Sequence, residues 1–139
     1  MRFTKEIVLD QPIERVRVLT SDPAHVHHWQ PDLVSITQHG ENPGAAGSTA
    51  TLTYRKFSLE ETVLAATADE RTSRYETRGM VHTITNRYSA IDAHTTRLVC
   101  DSEIELSGLL KLGRKLLEKS LREQSERNLD NFKAFIDAG

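Results

Sequence analysis

His82 is the residue of this sequence best suited to acid–base chemistry. It lies in a segment of alternating polar and apolar residues that also holds Asn86 and Tyr88 on the same face. Histidine titrates near neutral pH and can transfer a proton, while the side chains of Tyr54, Asn86 or Tyr88 could polarise a carbonyl oxygen. A buried histidine paired with a tyrosine is also common in ordinary cores. We expect no aspartate or glutamate on this face, and so no orienting partner for His82.

Metal and thiol chemistry are less well supported. His25 and His28 are three residues apart and would share a helix face, as a metal-binding pair requires. A third ligand is missing, because the position of Asp22 before Pro23 is better explained by a helix cap. Cys100 is the only cysteine, which excludes an internal disulfide and a zinc site built from cysteines. We therefore predict no metal, no cofactor and, at Cys100, a small buried apolar side chain.

Length and composition are those of one globular domain, predicted to span residues 1–139. Hydrophobic residues make up 37% of the chain and charged residues 27%, with a formal net charge of −2. This near-neutral balance argues against a nucleic-acid partner. No apolar run is long enough for a membrane span, and the N-terminus lacks the apolar region of a secretory signal. We expect a cytoplasmic location.

Hydrophobic periodicity predicts an α+β chain: a strand, two short helices, six further strands and one long helix. The predicted helices begin near Pro12 and at Asp22-Pro23, because proline is favoured in a first helical turn. The predicted strands are Phe3–Leu9, Val34–His39, Ser48–Phe57, Leu59–Ala68, Thr72–Arg78, Met80–Ile91 and Thr95–Leu106. Short turns between the last five of them indicate an antiparallel meander. The charged residues of these strands, Glu61 among them, are assigned mostly to the outer face, and Arg71 to a turn.

The chain after Gly108 predicts one amphipathic helix of about 25–30 residues, large enough to cover one face of the sheet. Leucines dominate its apolar stripe up to Leu121, but the next inward positions are Gln124, Ser125 and Asn128. This polar gap fits a helix that passes over a wet or ligand-filled cavity. It fits equally well a stripe that rotates between Leu121 and Leu129.

The sheet face that should meet this helix carries a few polar residues among apolar ones. A buried polar group without a partner costs about 1–3 kcal/mol, so these groups need water, one another or a ligand. A mostly apolar pocket with a few orienting groups is one interpretation, and a filled core is the other. The pocket interpretation predicts a ligand-binding set: Trp29, Leu52, Tyr54, His82, Ile84, Asn86, Tyr88, Leu98, Cys100, Ser102, Leu121, Gln124, Ser125 and Asn128. The loop Glu41–Gly47 and the segment His25–Trp29 are predicted to form its mouth.

Several short motifs occur in an order that resembles the START-like helix-grip superfamily (SRPBCC). An opening strand leads to Pro12-x-x-x-Val16, and Asp22-Pro23-x-x-x-x-x-Trp29-x-Pro31-x-Leu33 follows. Pro43-Gly44-x-x-Gly47-Ser48 precedes a Thr-rich strand, and Thr96-Arg97-Leu98 begins the last strand before the Leu-rich helix. Within the superfamily the chain is most similar to the polyketide cyclase/dehydrase and lipid-transport group. The resemblance implies a sheet of about seven strands wrapped on the long helix, with a cavity between them.

This resemblance implies no shared catalytic residues. The sequence therefore predicts a protein that binds a hydrophobic or amphipathic small molecule, such as a lipid, an isoprenoid or a polyketide. One alternative is a cofactor-independent cyclase or dehydratase in which His82 is the acid–base group. A second alternative is a co-chaperone-like interaction module with a filled interior and an exposed apolar patch. We expect a monomer or a homodimer.

Overall fold

A seven-stranded antiparallel sheet dominates the computed structural model, which describes residues 1–139. The strands lie in the order β1-β7-β6-β5-β4-β3-β2, so β1 pairs with the last strand and the other six follow one another. Their bounds are β1 (Arg2–Leu9), β2 (Leu33–His39), β3 (Thr49–Tyr54), β4 (Ser58–Ala66), β5 (Glu70–Thr77), β6 (Met80–Ala90) and β7 (Thr96–Leu106). This topology with a long C-terminal helix is the helix-grip fold, which confirms the predicted α+β architecture.

Two short helical segments connect β1 to β2. Helix α1 (Ile13–Ser21) follows Pro12, and a 3₁₀ segment (Pro23–His28) follows Asp22. The Asp22 carboxylate accepts a hydrogen bond from the Ala24 amide at 2.9 Å, as expected of a helix cap. Both segments therefore begin where the sequence predicts.

The long C-terminal helix α2 (Arg114–Ala138) begins later than predicted. The residues before it form a 3₁₀ segment (Gly108–Gly113). Glycines at both of its ends explain the delay: Gly108 has a φ of +61°, and Gly113 immediately precedes α2, where a poor helix former favours a helix start. Neither α2 nor any other helix is long and apolar enough to cross a membrane.

The main hydrophobic core lies under the C-terminal end of α2. Only Phe132 and Ile136 of this helix are buried, and they pack with α1 and with strands β1 and β7. The core cluster consists of Leu9, Val16, Leu19, Leu98, Phe132 and Ile136. Burial of each large side chain contributes about 1.5–3 kcal/mol, so this end of α2 is the anchored one. The N-terminal half of the helix buries no residue completely.

Charge pairs cross the outer face of the sheet, as the sequence predicts. Arg87 of β6 pairs with Glu70 of β5 at 2.8 Å and also with Asp101 of β7. Arg97 of β7 pairs with Glu6 of β1 at 2.7 Å. Such cross-strand pairs stabilise a solvated sheet face modestly.

Candidate functional site

A cavity of about 510 Å³ lies between the sheet and helix α2. Strands β2 to β7, the short helices after β1 and the C-terminal half of α2 all contribute side chains to its wall. The volume falls within the range of about 300–1,000 Å³ that is typical of small-molecule sites. Ten residues of the predicted binding set line it: Trp29, Leu52, Ile84, Asn86, Tyr88, Leu98, Cys100, Ser102, Ser125 and Asn128.

The other four residues of the predicted set do not line this cavity. Tyr54 donates its hydroxyl hydrogen bond to the Gln30 side chain and stacks on Phe57. Leu121 is half-buried but lies before the part of α2 that covers the cavity. Gln124 is exposed and donates from Nε2 to Asn128 Oδ1 at 3.0 Å. It therefore contacts a residue that lines the cavity without lining the cavity itself.

His82, the fourth of these residues, occupies the same face of β6 as Ile84 and Asn86 but lies beyond the cavity lining. It pairs in register with Tyr75 of β5 and Ile104 of β7. Its Nε2 atom is buried without a hydrogen-bond partner. Burial lowers the pKa of His82 to about 4, because the charged imidazolium loses its hydration there. The side chain is therefore neutral at pH 7.

Glu61 faces the cavity and not the outer surface to which the sequence pattern assigned it, so that prediction was wrong. Glu61 is only 8% exposed and lies on β4 between the inward residues Leu59 and Val63. Arg71 also lines the cavity, because β5 begins at Glu70 and includes the residue that was assigned to a turn. The period-two alternation Leu59, Glu61, Val63 is the signal that could have revealed the inward carboxylate.

Glu61 and Arg71 form an ion pair on the cavity wall. Arg71 Nη2 lies 3.4 Å from Glu61 Oε1, and Arg71 Nε donates to Ser73 Oγ at 3.3 Å. Tyr75 is directly opposite Glu61 in the β4–β5 register. Burial and the neighbouring Glu61 carboxylate raise the pKa of Tyr75 far above its usual value. The phenol therefore stays protonated and can donate a hydrogen bond.

Two polar atoms of the cavity wall have no hydrogen-bond partner. Asn86 Oδ1 and Ser102 Oγ are both buried and unpaired. Asn86 is opposite Arg71 in the β5–β6 register, so these two residues are neighbours on the sheet. Ser102 adjoins the Cys100 thiol, which is at best a weak partner. Unpaired polar atoms beside a cavity are available to a ligand or to water.

Apolar and aromatic side chains line the rest of the cavity. Trp29 contacts Phe132 of α2 edge to face, with 5.0 Å between the ring centroids, and both residues line the cavity. Leu52, Ile84 and Leu98 contribute apolar side chains from three strands. Trp29 thus serves both as a wall of the cavity and as packing for the short helix that precedes it.

Cys100 belongs to the unreactive part of the wall. Burial raises the pKa of its thiol to about 11, so the nucleophilic thiolate is absent at neutral pH. This agrees with the prediction of a small, buried and inert side chain.

The predicted mouth residues fall into two groups. Pro43 and Gly44 of the loop Glu41–Gly47 line the cavity, as does Val26 from the segment His25–Trp29. The histidines of that segment do not. The rings of His25 and His28 pack on Phe135 instead, and no group of three or more His, Cys, Asp or Glu side chains is placed to hold a metal ion.

The family follows from a match over nearly the whole chain. Residues 1–136 match the family described as polyketide cyclase / dehydrase and lipid transport. The chain belongs to this family. The match covers every strand, both short helices after β1 and all but the end of α2. No curated protein matches the chain.

Solved structures share the fold of this family member at low sequence identity. The Zhui aromatase/cyclase from Streptomyces sp. R1128 has a TM-score of 0.80 at 13% identity, covering 99% of this chain and 93% of the other. Ara h 8.0201 has a TM-score of 0.78 at 10% identity, with 100% and 99% covered. A START superfamily protein from Mycobacterium smegmatis has a TM-score of 0.75 at 12% identity, with 99% and 97% covered. At these identities the likeness establishes the fold alone.

Proposed function

We propose that this protein binds a hydrophobic or amphipathic small molecule in the cavity between its sheet and helix α2. The observation that carries this proposal is the cavity itself, at about 510 Å³. Its aromatic and aliphatic side chains would remove apolar ligand surface from water, at about 25 cal/mol per Å². Its polar side chains would fix the orientation of the ligand with a few hydrogen bonds. The family description, which includes lipid transport, supports the same class of ligand.

Native mass spectrometry of gently purified protein tests the proposal. We expect either a co-purified mass that is lost on denaturation or saturable binding of an added neutral apolar dye such as Nile red. The substitution Ile84→Trp adds bulk to a residue that lines the cavity and should abolish both signals. Ser89→Trp is the matched control, because Ser89 lies on the same strand but is exposed. Absence of both signals in the wild-type protein would contradict the proposal, as would equal binding by the two variants.

The enzymatic alternative has weaker support. In that proposal His82 transfers a proton, yet His82 lies outside the cavity lining and its pKa is lowered to about 4. A group whose pKa lies so far below neutral pH is a poor proton acceptor in the free protein. The likeness to an aromatase/cyclase extends to the fold only. Unchanged turnover of a cyclisation substrate by His82→Ala would reject this role.

The protein-interaction alternative is favoured by one observation. Leu109 and Leu112 of the 3₁₀ segment before α2 are 84% and 85% exposed, and Leu116 in the first turn of α2 is 77% exposed. The same hypothesis requires a filled interior, and the cavity opposes it. Replacing these three leucines with serine should leave dye binding unchanged if the cavity carries the function, and titration with the dye measures this.

A further inference from the structure

The charged side chains that line the cavity form a balanced set. They are Arg17, Glu61, Glu70 and Arg71, and each is held in an ion pair. Arg17 pairs with Asp69 and Glu70 with Arg87, both at 2.8 Å, so these two are directed into surface pairs. No unbalanced charge is therefore available on the wall for an ionic ligand group.

Arg71 nevertheless retains hydrogen-bonding capacity. A guanidinium has five N–H donors, and the protein engages only Nε, with Ser73, and one Nη2 hydrogen, with Glu61. The Arg71 side chain is 45% exposed and lines the cavity, whereas its partner Glu61 is 10% exposed. Donors that are not used by the protein therefore adjoin the cavity, and a ligand oxygen can accept from them.

An unpaired acceptor belongs to the neighbouring strand. Asn86 Oδ1 is buried without a partner, and Asn86 is the register partner of Arg71 on the neighbouring strand. Ser102, which is 2% exposed and lines the same cavity, has an unpaired hydroxyl oxygen one strand further on. The wall thus presents donors next to acceptors, without net charge. A plain hydrocarbon chain would leave these groups unpaired, which costs free energy for each buried group.

We infer that Arg71, Asn86 and Ser102 form a recognition site for a neutral ligand that carries both carbonyl and hydroxyl groups. The ligand carbonyl oxygen accepts from the Arg71 guanidinium, and a ligand hydroxyl donates to Asn86 Oδ1. Glu61 holds Arg71 in place and cancels its charge, so a ligand carboxylate would meet the Glu61 carboxylate with no free cation to offset it. This inference rests on the proposed function and specifies the chemistry of its ligand.

Three naphthalene probes of similar size separate the possibilities. The first is 6-hydroxy-2-acetonaphthone, which is neutral and oxygenated. The others are 2-ethylnaphthalene, which is apolar, and 6-hydroxy-2-naphthoate, which is anionic at pH 7. We expect the wild-type protein to bind the hydroxyketone about tenfold more tightly than either of the others, as one net charge-assisted hydrogen bond would provide. Calorimetric titration measures the three affinities.

Substitutions assign that preference to individual residues. The pair Glu61→Gln and Arg71→Met in one chain removes the donors without leaving a buried charge alone, and should reduce the preference for the hydroxyketone over 2-ethylnaphthalene to the part that Asn86 provides. Asn86→Leu should lower hydroxyketone affinity about fivefold, a typical value for a neutral hydrogen bond. Arg55→Met is the control, because Arg55 is exposed and lies outside the cavity lining.

The outcomes distinguish this inference from the proposed function. If 2-ethylnaphthalene binds as tightly as the hydroxyketone, the inference fails while the proposed function stands. Tightest binding of the naphthoate would also overturn the neutral-ligand assignment. If no probe binds although Nile red does, the inference fails and the proposed function stands; if Nile red does not bind either, both fail. A hydroxyketone preference that is undiminished in the Glu61 and Arg71 double variant would show that residues other than Arg71 carry it.

Discussion

Glu61 on β4 and Arg71 on β5 form an ion pair whose two partners differ in exposure. The distance between Arg71 Nη2 and Glu61 Oε1 is 3.4 Å, but the carboxylate side chain is 10% exposed and the guanidinium side chain is 45% exposed. The carboxylate is therefore the member of the pair that depends on its partner for stabilisation. The guanidinium retains contact with solvent or with whatever fills the cavity.

This asymmetry predicts unequal effects of breaking the pair on stability. Arg71→Met leaves a buried carboxylate with no cation and should lower the free energy of unfolding by about 1–3 kcal/mol. Glu61→Gln leaves a partly hydrated guanidinium and should lower it by less. The double substitution should recover part of the loss caused by Arg71→Met. Urea unfolding of the three variants at pH 7 measures these differences.

Equal destabilisation by the two single substitutions would contradict the asymmetry. An additive double substitution would mean that the two side chains do not interact across the 3.4 Å.

The anchored end of α2 makes a second prediction, about packing. Phe132 is 6% exposed and contacts both the core cluster and Trp29. Phe132→Ala should lower the free energy of unfolding by about 3–5 kcal/mol, through lost burial and an enlarged cavity. Leu116→Ala, on the same helix but 77% exposed, should change it by less than about 0.5 kcal/mol. Comparable losses in the two variants would show that the N-terminal half of α2 also packs on the protein.

The order of the elements could be predicted from sequence because local rules determine it. Period-two alternation marks the strands, and Pro12 and Asp22-Pro23 mark the helix starts. The start of α2 was misplaced because a leucine-rich pattern continues through Gly113, where the low helix propensity of glycine prevails over hydrophobic periodicity.

The candidate site was only partly predictable, for a different reason. Alternation along one strand predicts a shared face for Ile84, Asn86 and Tyr88, and all three line the cavity. Glu61 was missed because carboxylates are rarely buried without an ion-pair partner, and the sequence alone does not identify that partner. That partner, Arg71, lies on another strand and was assigned to a turn, so the pair becomes visible only from the β4–β5 pairing. His82 lies outside the cavity lining, although it was predicted to belong to it. Alternation shows which face of a strand a residue occupies, but not how far along the strand a cavity extends.

Trp29 provides a third prediction, a direct optical signal of occupancy. It is the only tryptophan in the chain, it lines the cavity, and its ring contacts Phe132 at 5.0 Å. Nile red bound in the cavity should therefore shift or quench its emission saturably, with the same dissociation constant as the dye's own fluorescence change. Ile84→Trp is unsuitable here because it adds a second fluorophore, so Ile84→Phe is the variant that should weaken both signals. Dye binding with unchanged tryptophan emission would place the dye elsewhere on the protein.

His82 makes the protein less stable in acid, which is the fourth prediction. Burial lowers its pKa from 6.5 to about 4 in the folded state, so between these pH values the unfolded chain binds a proton that the folded protein excludes. The free energy of unfolding should therefore fall as the pH drops from about 6.5 to 4, by up to about 3 kcal/mol, while this group has no effect above pH 7.

Replacing the imidazole with a ring that does not titrate isolates this contribution. His82→Phe should flatten the dependence of unfolding free energy on pH between about 4 and 6.5, measured by urea unfolding at several pH values. His94→Phe, at an exposed turn, keeps His82 and should retain the wild-type slope. The same slope in His82→Phe as in the wild type would mean that His82 is hydrated in the folded protein. The burial of the Nε2 atom argues against this, because a buried atom is shielded from bulk water.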